Sequence, residues 1–248
     1  MFPGIGTVVN VATVLVGSAI GVLVGHRLPQ RTRDVVTDTL GLVTLLIAAL
    51  SALEVTSSSL SDATSDSAPV LIVLGSMLVG GIIGSLLRVE YGMESLGGWL
   101  QRRLVGRSES EERRRFIEGF VAASLLFCVG PLTILGSISD GLGNGADQLF
   151  LKAVLDGFAA IAFAASFGWG VAASALVVAV VQGSLTVLGA ALGDVLPDAH
   201  LAALTATGGL LLVGVALRLL QIKQVPVGDL LPALLIAPLL TQIVVVLT

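Results

Sequence analysis

Apolar runs of about 20 residues recur along this chain, and short charged or polar connections separate them. A run of that length crosses ~30 Å of hydrocarbon as one helix. No water is available there, so the spanning backbone must bond to itself, which a helix does within a single segment. Composition agrees: 55% of residues are hydrophobic, 12% are charged, and the mean hydropathy is +1.00. A soluble domain carries about twice that share of charge. The chain therefore reads as an all-α integral membrane protein with about eight transmembrane helices, or seven if one run does not cross. They fall roughly at 4–25, 36–54, 69–87, 116–138, 150–167, 170–192, 201–219 and 229–247. Residues 1–25 have no basic leader and are read as the first span, not a signal peptide. One cysteine, Cys128, excludes a disulfide framework and a thiolate metal cluster.

The connections alternate in charge. Arg27, Arg31 and Arg33 follow the first helix, seven arginines between Arg88 and Arg115 follow the third, and Arg218 and Lys223 follow the seventh. Acidic residues follow the second, fourth and sixth, among them Glu54, Asp62, Asp66, Asp140, Asp147, Asp194 and Asp198. Twelve of the 13 basic residues share one side, Lys152 being the exception. The positive-inside rule makes that side cytoplasmic and places both termini outside. Residues 55–68 (VTSSSLSDATSDSA) are polar and low in complexity, and a mobile external loop is expected there. In 93–104 (MESLGGWLQRRL), Met93, Leu96, Leu100 and Leu104 recur at helical spacing. This suits a helix on the membrane surface or one packed on the bundle. We read 1–248 as a single transmembrane domain. Its parts are first-repeat helices at 4–87, an arginine-rich cytoplasmic loop with a surface helix at 88–115, a central helix pair at 116–168, and second-repeat helices at 170–248.

The chain also matches itself. A shift of 168 places Gly21, Gly25, Leu28 and Pro29 on Gly189, Gly193, Leu196 and Pro197, and Thr37, Thr39, Gly41 and Leu42 on Thr205, Thr207, Gly209 and Leu210. Nine of 28 positions between 21 and 48 are identical, where this composition gives roughly 3 by chance. Helices 1–2 thus match helices 6–7, and an odd number of crossings between them makes the copies antiparallel. A second match, at a shift of 38, sets Glu118-Gly119-Phe120 on Asp156-Gly157-Phe158 and pairs helix 4 with helix 5. Inverted internal repeats of this kind characterise many transporters. Glycines four apart (Gly17, Gly21 and Gly25; Gly80 and Gly84; Gly189 and Gly193) allow close helix packing, within one chain or between copies.

The segments EGFVAASLLFCVGPLTILGSISDGL (118–142), DGFAAIAFA (156–164), TATGGLLLVG (205–214), LLPALLIAP (230–238) and IGTVVN (5–10) resemble the domain-of-unknown-function 554 family of bacterial inner-membrane proteins. The resemblance extends over nearly the whole chain and implies a prokaryotic plasma-membrane protein. It implies no particular activity, so the functional reading rests on individual residues.

Glu118 and Asp156 are acidic residues set just inside predicted helices, one turn from Arg115 and Lys152. Each is either an interfacial carboxylate paired with its basic neighbour or, given their matched places, one of two cation- or proton-binding gates. Gly130-Pro131 interrupts helix 4: the proline has no N–H and displaces the carbonyl of Phe127. Ser124 and Cys128 precede the break, and helix 8 carries Pro232 and Pro238. Broken helices of this sort build substrate and ion sites in transporters, and ordinary proline kinks elsewhere. Asn10, Gln182, Ser184 and Thr186 add polar atoms to helices 1 and 6, as inter-helix glue or as ligands. His26 and His200 are expected in loops on opposite sides and cannot pair on a metal. No nucleotide, phosphate-loop or zinc-protease motif is present. No catalytic role, cofactor, metal or nucleic-acid partner is therefore expected. Two functions fit. One is a transporter or channel for a small solute or ion, coupled to protons or another cation. The other is a non-transporting scaffold or sensor that binds a cytoplasmic partner or anionic lipid through its arginine-rich loop. A homo-oligomer, dimer or trimer, is expected in the bilayer.

Overall fold

Every described element is helical. The structure, a computed structural model, describes all residues except 1, 26, 66, 105–109, 129–130, 193–196 and 248, and omits the side chains of 104, 110, 131 and 192. Gly130, His26, Asp66, Arg107, Gly193, Asp194, Leu196 and the Pro131 side chain thus lie outside the described residues. The helices are α1 (Ile5–Gly25), α2 (Gln30–Ala52), α3 (Ser58–Ala63), α4 (Ala68–Leu87), α5 (Val89–Leu104), α6 (Ser110–Cys128), α7 (Pro131–Gly141), α8 (Asp147–Phe167), α9 (Gly170–Leu192), α10 (Asp198–Leu219), α11 (Val227–Leu230) and α12 (Ala233–Leu247). A short 3₁₀ turn, Leu53–Thr56, joins α2 to α3.

Seven helical runs among the described residues are long and apolar enough to span a bilayer: Ile5–Gly25, Gln30–Ala63, Ala68–Leu87, Asp147–Phe167, Gly170–Ala191, Asp198–Leu219 and Val227–Leu247. The eighth crossing is broken, its halves Glu111–Cys128 and Leu132–Gly141 meeting at 61°. Helix α9 follows both halves, with Gly170 against Phe116 at one end and Gly189 against Ile138 at the other. The α6–α7 pair therefore carries the chain across the layer and does not turn back.

The chain packs as two compact units, Met1–Leu40 with Glu94–Val195, and Gly41–Met93 with Leu196–Thr248. In the first, α1 and α8 run parallel. Gly17 rests on the carbonyl of Gly157, Gly21 on that of Ile161, and Gly25 on that of Ala165. A side chain at any of these glycines would strike backbone, so the stripe is used by a contact within the chain. Gly119 against Phe167 makes α6 antiparallel to α8, and hence α9 antiparallel to α1. Phe120, Phe127, Phe163, Val14, Val171 and Val178 fill the interior. From α5, Leu100 is buried and Gly97 meets Phe120, while Leu96 and Trp99 stay exposed and Arg103 stacks over Trp99 at 5.6 Å. The segment thus combines features of both sequence readings.

In the second unit α10 is the hub. Its small residues, among them Ala202, Ala203, Ala206, Gly208 and Gly209, are buried around the helix. Gly41 of α2 meets Leu220, and Gly209 meets Ala52 of α2. The shift of 168 converts one of these contacts into the other. Gly80 and Gly84 lie against Ala233 and Asp229, which again uses a glycine stripe internally. Arg88, in the left-handed conformation (φ 54°), closes α4 and turns the chain into α5. Beyond it the Glu90 carboxylate pairs with Arg218 and accepts the Gly228 N–H, while Asp229 Oδ1 accepts the Glu90 N–H at 2.9 Å. Leucines and valines remain exposed on the outer faces (Leu42, Leu46, Leu50, Leu74, Leu78, Leu239, Val246). In a bilayer they face acyl chains and carry no penalty.

Three expectations need correction. Residues 55–68 are mostly helical, because Leu60 is fully buried against Ala199, Ala202, Ala203 and Ala237, which ties the polar segment down. His200 is not in a loop: it lies in the first turn of α10, buried, with Nε2 2.9 Å from Gln242 Oε1. Helix α2 begins at Gln30, so Arg31 and Arg33 are helical.

The glycine contacts give a paired test. Gly21→Ala should destabilise the protein by about 1–3 kcal/mol through overpacking. Gly183→Ala, where an added methyl meets nothing within 4 Å, should be neutral or slightly stabilising. Reversible unfolding in mixed micelles reads both, and equal effects would contradict the packing described.

Candidate functional site

Helix α8 sets Lys152 and Asp156 one turn apart on the face that also buries Leu149, Ala153, Ala160 and Phe163. That face looks inward, so both charges leave the lipid and pair with each other. Asn10 of α1 reaches the same carboxylate, its Nδ2 donating to Oδ2 at 3.0 Å. Both donors converge on Oδ2, which leaves Oδ1 for a further donor or a cation. Asp156 is tenth of the 21 residues of α8, about 14 Å along the axis, at mid-span and not near the outer face. The sequence reading placed it shallower because Lys152 looked like an interfacial charge, and because the helix begins three residues earlier than expected. A carboxylate at that depth costs about 2.5–3.5 kcal/mol on the insertion scale, which explains why lysine and asparagine both attend it.

The break in the fourth span lies beside this centre. Cys128, half-buried, ends α6 at this break. Ser124 is one turn earlier on the same helix face and fully enclosed. The Phe127 carbonyl, freed by the proline, accepts the Thr133 hydroxyl at 3.1 Å. The Phe127 ring meets Phe163 edge-on, with centroids 6.5 Å apart.

Helix α9 completes the wall. Thr186 Oγ1 lies 3.4 Å from Thr7 Oγ1 on antiparallel α1. One turn deeper from that contact come Asn10 on α1 and Gln182 on α9, so the register sets the two amides along the same seam. Gln182 is fully buried, and neither its oxygen nor its nitrogen has a partner. The seam continues through Val14 and Val178 to Ser18 and Ser174, all buried. At its other end Asp140, 3% exposed, accepts the Gly6 N–H at 3.0 Å. A carboxylate there complements the positive end of α1. Seven of the eight buried, unpartnered side-chain polar atoms among the described residues belong to this unit: Asn10 Oδ1, Ser18 Oγ, Arg33 Nε, Ser124 Oγ, Ser137 Oγ and both amide atoms of Gln182. Buried polar groups are normally satisfied, by water where protein does not reach.

Glu118 stands apart. Its side chain is 41% exposed and 3.9 Å from Arg114, not Arg115, an interfacial pair of little energetic weight. Under the 168 correspondence, the contacts Gly21–Ile161 and Gly189–Ile138 relate Ile161 to Ile138, 23 positions apart, not 38. Glu118 is part-exposed and Asp156 buried, so the two carboxylates sit in unlike surroundings. Of the sequence candidates, Asn10, Asp156, Gln182, Ser124, Phe127 and Cys128 belong to this interior. Lys152 joins them as the basic neighbour with which the sequence pairs Asp156, and Thr133, Ser137 and Asp140 join them unanticipated. Only Lys152, the lone cation on the acidic side, carried a signal in the sequence.

Lys152→Met alone should destabilise the protein by about 3–5 kcal/mol, because it strands the Asp156 charge. Adding Asp156→Asn should restore most of that loss. Unfolding in micelles decides, and a double variant no better than the single one would contradict the pairing.

Two bacterial relatives extend along nearly the whole chain. The uncharacterized protein YqgA of Escherichia coli (strain K12) is 31% identical over 233 residues, 94% of each chain. The uncharacterized membrane protein YdfK of Bacillus subtilis (strain 168) is 27% identical over 239 residues, 96% of each. No solved structure matches. The model of the family described as protein of unknown function (DUF554) matches residues 5–242, so this multi-pass α-helical membrane protein belongs to that family.

Proposed function

We propose that the chain is a transporter or channel for a small solute or ion in the bacterial inner membrane, with a centre at Asp156, Lys152, Asn10 and Gln182. One observation carries the reading: unpartnered buried polar atoms gather around a mid-span ion pair, beside a broken helix. A protein that only had to fold would place apolar residues at these positions, at lower cost in lipid. Transporters place substrate and coupling-ion sites at this depth, against discontinuous helices. The reciprocal contacts Gly41–Leu220 and Gly209–Ala52 support an inverted repeat in the second unit.

In this reading a proton or cation exchanges with Lys152 at Asp156, while the amides of Asn10 and Gln182 supply donors and acceptors to the passing solute. The arginine-rich connections face the cytoplasm and both termini face outside, as the charge asymmetry requires. A dimer or trimer would use faces other than the glycine stripes, which contacts within the chain occupy.

Liposome flux with a panel of ions and small metabolites tests the proposal. Asp156→Asn should lower flux of the transported species at least tenfold while the protein stays folded, and Glu118→Gln should leave it within about twofold. Undiminished flux in folded Asp156→Asn would overturn the assignment. Absence of flux for every species would favour the scaffold or sensor.

A further inference from the structure

The first unit holds a second polar feature, at the end of the bundle opposite Asp140. A half-open cavity of about 290 Å³ lies where α1 and α8 end and α9 begins. Two guanidinium groups line it, Arg33 from the start of α2 and Arg115 from α6. Among the described residues neither forms an ion pair. Among the described residues Arg115 has only the Gln30 side-chain oxygen, at 3.3 Å, and the buried Nε of Arg33 has no acceptor. Glu112 also lines the cavity, and it lies beyond ion-pair distance of both arginines. The Arg33 carbonyl accepts the Ser166 hydroxyl at 3.4 Å, which fixes the arginine backbone against α8.

Two cations that face one cavity with no carboxylate within ion-pair distance repel each other, and an anion between them removes that cost. The backbone adds to the field. Gly168 and Trp169 of the wall lead directly into α9, so the positive end of a 23-residue helix opens here, with no acidic residue in its first turn. Guanidinium is the side chain suited to a tetrahedral oxyanion, because it donates to two oxygens at once. Trp169 is half-exposed beside it, and tryptophan collects at the headgroup level of a bilayer. The neighbouring end of α1 exposes Leu23 and Val24, an apolar surface on which acyl chains can lie.

We infer that this cavity binds a phosphate-bearing anion through Arg33 and Arg115, with a phospholipid headgroup or a soluble phosphate as the source. The site does not depend on the transport reading and involves none of the residues around Asp156.

The test uses the purified full-length chain. Binding of phosphatidylglycerol and of phosphatidylcholine is compared by native mass spectrometry. In a second arm, glycerol phosphate and inorganic phosphate are titrated in a neutral detergent while tryptophan emission is followed. Phosphatidylglycerol should bind at least about tenfold more tightly than phosphatidylcholine. Arg33→Gln with Arg115→Gln should abolish that preference, and Arg33→Lys with Arg115→Lys should keep part of it. Displacement of the lipid by glycerol phosphate identifies the headgroup as the part held. A saturable emission change with phosphate, without lipid preference, identifies a soluble ligand. The inference is overturned if the wild type shows neither lipid preference nor a phosphate response. It is equally overturned if the folded glutamine double variant, checked by its unfolding midpoint, retains both at full strength.

Discussion

A carboxylate at mid-span sets the terms for the first unit. Hydrocarbon offers no water to Asp156, so the protein must supply its surroundings, and it does so from two helices. Lysine supplies the opposite charge from one turn away, and Asn10 supplies a donor from α1, 146 positions distant in the chain. Neutralising the charge makes the depth affordable without making it favourable, because an apolar pair of similar volume would serve a purely structural purpose as well. Gln182 adds to the same pattern: neither of its buried amide atoms has a protein partner, where an interior built only for stability would place an apolar side chain.

Close approach is the second constraint, and glycine provides it. In lipid the helices gain little from apolar burial against one another, so packing and short-range contact must hold them together. Gly17, Gly21 and Gly25 let α1 lie on the backbone of α8, and Gly80 and Gly84 do the same for α4 against the region of Asp229 and Ala233. Asn10 reaches Asp156 because α1 is this close. The packing stripe and the polar centre thus share one helix: the glycines set the distance, and the asparagine about two turns before them uses it.

Much of this was legible in the sequence, and the misses have physical causes. The spans were legible because hydropathy over 20 residues is a summed signal, insensitive to single boundaries. Depth within a span was not, because it depends on those boundaries. Asp156 was read as shallow since Lys152 normally marks an interface, and only packing shows that this lysine is turned inward. Leu60 shows the reverse error. Twelve small or polar neighbours in 55–68 outweigh one leucine in composition, yet that leucine, seated among alanines of α10 and α12, orders the segment. Glu118 and Asp156 looked equivalent because their neighbours match in type (Gly-Phe in both). Their burial, which sequence identity does not report, separates them. The Asn10–Gln182 seam depends on helix register between distant segments and had no sequence signal.

The broken span shows how a polar interior and a lipid environment coexist. A proline in a spanning helix forfeits one backbone hydrogen bond and leaves a carbonyl without a donor, a cost that hydrocarbon does not forgive. Here the Thr133 hydroxyl, two residues past the proline, returns to the Phe127 carbonyl and fills the vacancy. The 61° bend therefore leaves this acceptor satisfied. It also turns α7 so that Asp140 reaches the first turn of α1, while α6 keeps the Phe127 ring against Phe163 of α8. A straight helix would place residues 128 and 140 on one axis, about 18 Å apart. The bend lets the same span serve two positions on the seam, the end at Gly6 and the centre at Asp156, which is why the break and the buried ion pair belong to one arrangement.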